Sequence, residues 1–518
     1  MSEAESSLIA QRFEHLAQRC GDRPALTYRQ SQQEPTADQT HDFAKFWRRV
    51  QRVTAHLQAS LGVQPGDRVA WLGLNHELQL VSLVACARLG ALFLPMNFRL
   101  ATAEWQQVID DSAATVLIHD SVHQDGARQL MRHGLTIAHQ DTLIDSPSPR
   151  GLPLPQVIED APLLLVYTSG TTGHPKGVVH TQLAVVHNAR ASSWAHGFQH
   201  TDKVLSTLPL FHVGGLCIQT LPALMAGIEV ILHPRFDPAA WLDELEWSRP
   251  TLSLLVPATM RAVFDHPNWM QTDLSCLRGI MTGSSTIPLQ YLDAFHRRGV
   301  PVGQIYGTTE TGPVSVVLPF DQAMTHAGAA GWPHPEARIQ LLDSGGHSVP
   351  TGQTGEVCIL AANLMRGYWH SDGQAGHGLQ DAWFHTGDLG QVDAQGCLTI
   401  VGRSKDMIIS GGENIYPAEI ENRLMGLPGV AECAVVGLPD ERWGEVPIAA
   451  VVRTSDSAGQ RLEADGIVSH LSQHIARFKL PRKVVFIDHL PKSALGKVQK
   501  SMVVTHLQKG DHLNSPQS

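Results

Sequence analysis

Apolar residues recur at helical spacing over residues 43–61 and again over 77–89, and the stretch between them, GVQPGDRVAWLGLNH (62–76), supplies a Pro-Gly turn followed by a short apolar run. A run of that length, bounded by turn residues, reads as a buried strand, and 25–29 and 91–95 read the same way. The glutamine-rich interval up to about residue 42 reads as a loop. The alternation continues through 105–111 and 114–119. Repeated exchange between the two periods predicts a mostly parallel sheet covered by helices, an α/β fold. Residues 163–167 form a further apolar strand, a polar run follows, and a helix is predicted over 182–194. More strands are expected at 229–232, 252–256 and 279–281. Between 338 and 399 the pattern changes to short alternating strands with glycine turns, which predicts a small antiparallel sheet or barrel beside the main body. In 401–424 a strand ends in a charged turn, a Gly-Gly loop follows, and Pro417 marks a helix start. Beyond it, strands at 433–436, 448–452 and 484–487 suffice for a small α+β domain. The polar tail from residue 510 is expected to fray.

Composition sharpens this outline. A chain of 518 residues exceeds a single hydrophobic core, so two or more domains are expected. With 43% hydrophobic and 17% charged residues it reads as an ordinary soluble protein. A formal net charge of -10 without a long basic run argues against nucleic acid as a partner and against an electrostatic membrane anchor. No apolar run reaches the ~18 residues of a membrane span, and the start of the chain lacks a basic-then-apolar leader, so a cytoplasmic location and no integral membrane segment are expected. The seven cysteines are scattered and form no CxxC pair. That reads as a reducing compartment with neither structural zinc nor a disulfide frame. The 28 histidines show no ligand spacing.

The polar run after 163–167 is where chemistry first shows, in YTSGTTGHPKGVVHT (167–181). Gly170, Gly173 and Gly177 let backbone amides close on an anion, the hydroxyls of Thr168, Ser169, Thr171 and Thr172 add donors, and Lys176 brings a full positive charge. Together they suit a polyphosphate. The spacing is not that of the P-loop, because Pro175 stands where that pattern needs its second glycine.

Six segments in order resemble one family: YTSGTTGHPKGVVHT, PLFHVGG (209–215), YGTTETG (306–312), TGDLG (386–390), GRSKDMIISGGENIYPAEIE (402–421) and PKSALGKVQK (491–500). The chain is similar, over nearly its whole length, to the adenylate-forming acyl/aryl-CoA synthetase superfamily. The resemblance implies a large N-terminal domain (1–402) of stacked α/β subdomains with a β-barrel-like part, and a small mobile C-terminal domain (403–518). It implies ATP, Mg²⁺ and coenzyme A. The 168–176 loop would hold the β and γ phosphates, Glu310 the magnesium ion, and Thr309 the α-phosphate, with Gly307 and Thr308 also among the nucleotide-binding residues. Tyr306 would stack on adenine beside Gly283, Ser284 and Ser285; here the sequence departs from the family's more usual glycine/alanine run by placing two hydroxyls next to the purine. Asp388 and Arg403 would contact the ribose. Lys497 would meet the reacting carboxylate and α-phosphate, where negative charge builds in the transition state. His212 would sit beside the acyl carboxylate and shape access to the pocket. Lys405 would be the hinge about which the small domain swings, bringing Gly411 and Gly412 to the pantetheine arm of coenzyme A.

The resulting expectation is an ATP-dependent carboxylate–CoA ligase that releases AMP and pyrophosphate, with a small-molecule carboxylic acid as substrate. Gly214, Gly215 and Thr308 suggest an unblocked acyl pocket, and a medium or longer fatty acid is the first expectation, with aryl or alicyclic acids as the alternative. A stand-alone enzyme loading a carrier-protein thiol, luciferase-like oxidation of the adenylate and a non-catalytic nucleotide-binding regulator are the rivals. A homodimer is compatible with the sequence.

Overall fold

The computed structural model describes residues 8–29, 39–130, 132–145, 153–168, 175–283, 287–369, 375–376, 378–411, 413–440, 442–492 and 497–509. Among these, two large sheets, one small antiparallel sheet and a fourth sheet near the C-terminus make up the fold. The first large sheet runs, edge to edge, through Trp332–Pro333, Val316–Leu318, Val302–Tyr306, Gly279–Gly283, Leu252–Leu254, Lys203–Ser206, Glu229–Leu232, Pro24–Tyr28 and Gln39–Asp42. The second runs through Ala375–Gly376, Gly367–Trp369, Lys176–Thr181, Pro162–Thr168, Leu92–Pro95, Arg68–Leu72, Val116–His119 and Thr136–His139.

Helices form where the periodicity places them. Phe43–Ala59 starts at Asp42, whose carboxylate accepts the Lys45 amide at 2.6 Å, a cap worth about 1 kcal/mol. Its buried stripe of Phe46, Trp47, Val50, Val53 and Leu57 packs on Glu77–Leu89, which is buried on nearly every face. That second helix ends at Gly90 in the left-handed conformation, as a C-terminal stop does. Both helices belong to one core that also takes in Leu26, Val204 and Val230 of the first sheet and Val69, Phe93 and Leu164 of the second. The outer faces carry separate clusters, one around Trp241, Met260 and Phe295 and one around Leu72, Leu94, Trp105 and Ile109.

The interval read as a loop before residue 42 ends in a strand, Gln39–Asp42, antiparallel to Pro24–Tyr28. The large sheets are parallel in their interiors and antiparallel at several edges. Between the polar run after 163–167 and the expected helix, the structure places a strand, Lys176–Thr181, that the sequence pattern did not predict. Pro162–Thr168 pairs antiparallel with Lys176–Thr181, and the helix Gln182–His196 follows the second strand; residues 169–174 of the polar run lie outside the described residues. The short KGVVHT segment carries too few residues for a period to declare itself.

Between 337 and 403 the predicted antiparallel sheet is present, ordered Ala337–Leu342, Gly355–Ala361, Phe384–Val392, Leu398–Arg403. The fourth sheet joins Val430–Asp440, Gly444–Arg453, Lys483–Phe486, Ile408–Ser410 and Glu413–Ile415. Ile420, Leu424, Ile467 and Leu471 pack in one of its clusters and Val503 and Leu507 in another. The tail from 510 lies outside the described residues. No described helix is long and apolar enough to cross a membrane.

Candidate active site

Strands Gly279–Gly283 and Val302–Tyr306 are parallel neighbours, with Gly283 opposite Ile305, so Gly283 and Tyr306 stand together at their C-terminal ends. In open α/β sheets that edge is where ligands bind. The small antiparallel sheet supplies Asp388 and Arg403 as direct cross-strand partners. Arg403 Nε donates to Asp388 Oδ1 at 2.8 Å, and Tyr306 Oη donates to Oδ2 at 2.9 Å. Asp388 is buried, and its amide donates to Thr386 Oγ1 at 3.0 Å. Burial, then the Asp388 carboxylate, holds the Tyr306 phenol well above its ordinary pKa, so it stays a donor. Each carboxylate oxygen keeps a further lone pair for a ligand hydroxyl.

A second group lies around the hairpin tip. Thr168 and Lys176 are cross-strand partners, and Thr168 Oγ1 lies 3.5 Å from the Lys176 carbonyl. The Lys176 ammonium is 5.3 Å from the ring centroid of Tyr368, and Tyr368 Oη donates to Glu310 Oε1 at 2.9 Å. One tyrosine thus spans the loop lysine and the acidic residue. Burial and Glu310 raise its pKa, which keeps the donated proton in place. Glu310 sits in the 3₁₀ turn Thr309–Thr311, whose backbone is tied from two sides: His180 Nε2 donates to the Thr309 carbonyl at 2.8 Å and Met365 N to the Glu310 carbonyl at 2.8 Å. The Thr308 amide donates to Thr311 Oγ1 at 2.9 Å. The Thr308 hydroxyl is buried without a hydrogen-bond partner among the described residues. A buried donor of this kind is costly unless a ligand satisfies it.

His212 caps the short helix Val213–Gly215, its Nδ1 accepting the Gly214 amide at 3.0 Å. The neutral ring therefore carries its proton on Nε2. Burial first, and the Lys497 ammonium second, pull its pKa down to about 4. Lys497 in turn lies within electrostatic reach of Arg403, Asp388, Asp406 and Lys405. Desolvation, followed by Arg403, lowers its pKa from the ordinary 10.5, while Asp388 and Asp406 oppose the shift. The C-terminal part of the chain thus brings Lys497 up to Asp388, Arg403 and His212.

Gly215 owes its size to packing, because a Cβ there would strike the Pro209 carbonyl; a wide acyl pocket is not needed to explain it. Lys405 lies in the exposed 3₁₀ turn Ser404–Asp406, between strands Leu398–Arg403 and Ile408–Ser410. Gly411 has φ +59°, and a Cβ there would come within 2.6 Å of the Trp443 ring. Ser169, Gly170, Thr171, Thr172, Gly173, Ser284, Ser285 and Gly412 lie outside the described residues.

Sequence reasoning missed Tyr368, Thr386 and His180. Tyr368 is 58 residues from Glu310, and the two meet because the pairing of Gly367–Trp369 with Lys176–Thr181 and the Met365 amide on the Glu310 carbonyl bring these segments together.

Comparison with known proteins gives a consistent result. Residues 13–369 match the AMP-binding enzyme family, and residues 419–497 match the AMP-binding enzyme C-terminal domain. The chain is 45% identical over 466 residues to an indoleacetate–CoA ligase of Aromatoleum aromaticum, covering 88% of this chain and 91% of that one. It is 40% identical to a feruloyl-CoA synthase of an Amycolatopsis species (89% and 93% covered), and 34% identical to a long-chain-fatty-acid–CoA ligase of Mycobacterium tuberculosis (91% and 94%). Among solved structures, the o-succinylbenzoate CoA synthetase of Bacillus subtilis in complex with its acyl-adenylate intermediate superposes with a TM-score of 0.84 at 30% identity, covering 96% of this chain and 98% of that one.

Proposed function

Because this chain belongs to the AMP-binding enzyme family, we propose that it is an AMP-forming acid–thiol ligase that activates an aryl or arylalkyl carboxylic acid and passes the acyl group to coenzyme A. A carboxylate is a poor electrophile, so the acid is first joined to the α-phosphate of ATP with loss of pyrophosphate; the thiol then displaces AMP from the mixed anhydride.

The residues divide this work by position. Tyr306, Asp388 and Arg403 form the nucleoside end, with Asp388 accepting from the ribose hydroxyls and Gly283 leaving room at the strand edge. Thr168, Lys176 and the intervening loop take the phosphates, joined by Thr309 and by the unpartnered Thr308 hydroxyl. Glu310 fits magnesium, a hard cation held through one or two carboxylates plus phosphate oxygens. When bound, the ion neutralises the phosphate oxygens of the departing pyrophosphate. Lys497 places an ammonium where negative charge develops, and neutral His212 lines the carboxylate side without serving as a base. The division between domains is placed at 402/403, with Lys405 as the hinge and Gly411 and Gly412 on the face offered to the pantetheine arm. These assignments make Asp388→Asn informative. It is expected to raise the KM for ATP by about 10- to 100-fold, the effect of losing ~1.5–3 kcal/mol of hydrogen bonding to a charge, in steady-state kinetics at saturating acid. An unchanged KM would remove Asp388 from the ribose.

The first expectation of a fatty acid gives way to the aryl alternative. The observation that carries this is the 45% identity to an indoleacetate–CoA ligase across nine-tenths of that protein, against 34% to a long-chain-fatty-acid ligase. The test is a pyrophosphate-release screen with ATP, magnesium and coenzyme A over arylacetates, hydroxycinnamates, benzoates and fatty acids of graded length. Arylacetates or hydroxycinnamates are expected to give the highest kcat/KM, and the thioester is identified by mass. A clear preference for fatty acids would overturn the aryl reading. Turnover without coenzyme A, given a carrier protein, would favour the rival acceptor.

A further inference from the structure

Away from the nucleotide-facing residues, the small antiparallel sheet gathers three different metal-ligating side chains. Glu356 and Cys358 are two apart on the strand Gly355–Ala361 and so share a face, and Cys358 lies directly opposite His385 on Phe384–Val392. The ligand atoms of all three lie within 4.8 Å of one another. Cys358 Sγ is 3.4 Å from His385 Nδ1, and His385 Nδ1 is 3.3 Å from Glu356 Oε2. A tetrahedral zinc ion with a sulfur ligand at about 2.3 Å and nitrogen or oxygen ligands at about 2.0–2.1 Å needs ligand separations of roughly 3.3–3.6 Å. Both edges at His385 fall at that spacing, and the third, between Cys358 and Glu356, is within 4.8 Å.

The donor set is also pre-arranged. The Gly387 amide holds Glu356 Oε1 at 3.0 Å, leaving Oε2 for the cluster. Cys358 is fully buried, whereas the side chains of Glu356 and His385 are each 32% exposed. The sulfur is thus on the inner side, and the open side leaves room for a water as fourth ligand, the arrangement of three protein ligands plus solvent.

We propose that Glu356, Cys358 and His385 form a binding site for a thiophilic divalent ion of the zinc class, separate from the magnesium expected at Glu310. A thiolate, an imidazole and a carboxylate select such an ion over magnesium, which takes oxygen ligands. Binding forms a metal–sulfur bond and breaks the S–H bond; the proton goes to solvent and no electron is transferred. The site cross-links the two strands that carry Val357, Thr386 and Asp388. Thr386 already donates to the Val357 carbonyl at 2.7 Å, so an ion there would brace the segment leading to Asp388.

Cobalt(II) is the probe. Titrating it into the full-length protein in excess magnesium is expected to give a near-ultraviolet thiolate-to-metal charge-transfer band that saturates at one equivalent and disappears when zinc is added. Cys358→Ser is expected to abolish the band and Cys397→Ser to retain it. Absence of the band from the unmodified protein, or its persistence in Cys358→Ser, overturns the proposal. Should Cys358→Ser not fold, His385→Gln, altered at a partly exposed position, is expected to weaken cobalt binding on the order of 100-fold with an unchanged far-ultraviolet spectrum. Unchanged affinity in that variant overturns it equally.

Discussion

Lys497→Ala is expected to lower acid-dependent ATP–pyrophosphate exchange by about 10²- to 10³-fold, the scale of losing one positioned group that stabilises transition-state charge. The same variant should attack a supplied acyl-adenylate with coenzyme A at close to the normal rate. The asymmetry follows from where the ammonium stands. In this arrangement it lies within electrostatic reach of Asp388, Arg403 and His212, the residues proposed for the nucleoside and carboxylate sides of the site. On the proposed mechanism charge builds there when the acid attacks phosphorus, whereas the proposed thiol attack uses a different placement of the small domain. A pH profile adds an independent check. Because desolvation and Arg403 lower the Lys497 pKa, the protonated form is lost below the ordinary 10.5, and exchange should fall on the alkaline side of neutrality before that value. Lys497→Arg, always charged, should retain whatever activity it has without that limb. Parallel loss of both half-reactions in Lys497→Ala would remove the lysine from the adenylation step.

The second large effect concerns Lys405. Proline fixes φ near −65°, which the 3₁₀ turn Ser404–Asp406 already accommodates, so the arrangement seen here is largely permitted. A swing of the small domain, however, needs the backbone torsions of this turn to change, and a locked φ opposes it. Proline also disfavours a helical conformation at Ser404, which should appear as a few-fold loss in exchange. Lys405→Pro is therefore expected to cut thioester formation about a hundredfold, the cost of misplacing reacting groups, while exchange stays within a few-fold. Measuring both half-reactions on one preparation decides it; equal losses would mean that the turn is not the hinge.

What the sequence disclosed depended on how local each feature was. Glu77–Leu89 was legible to the residue, because a long buried helix with a glycine stop states its own limits. The strand Lys176–Thr181 was not, since a short strand after a polar tip has no period of its own and is defined by its partner. At the site, Asp388, Arg403, Glu310 and Lys497 were named from their motifs. Tyr368, which ties Lys176 to Glu310, was invisible because its neighbours come from two other segments. The same holds for Glu356, Cys358 and His385. Cysteine and histidine spacing along the chain argued against zinc, yet strand register sets two of these side chains face to face from 27 residues apart. The nature of the acid was the least legible, because pocket shape arises from side chains on several strands at once.

The antiparallel pair Pro162–Thr168 and Lys176–Thr181 also determines where this chain can change its length. Its ladder runs from Pro162 opposite Thr181 to Thr168 opposite Lys176, with Leu165 and Val179 packed in one hydrophobic cluster and Leu164 and Val166 in another. Adding or removing a single residue within either strand would turn every following side chain to the opposite side and exchange those two sets. Between Thr168 and Lys176 the same insertion or deletion leaves the ladder intact. Length variation that the two strands tolerate is thereby confined to the interval between Thr168 and Lys176, the segment proposed to take the phosphates.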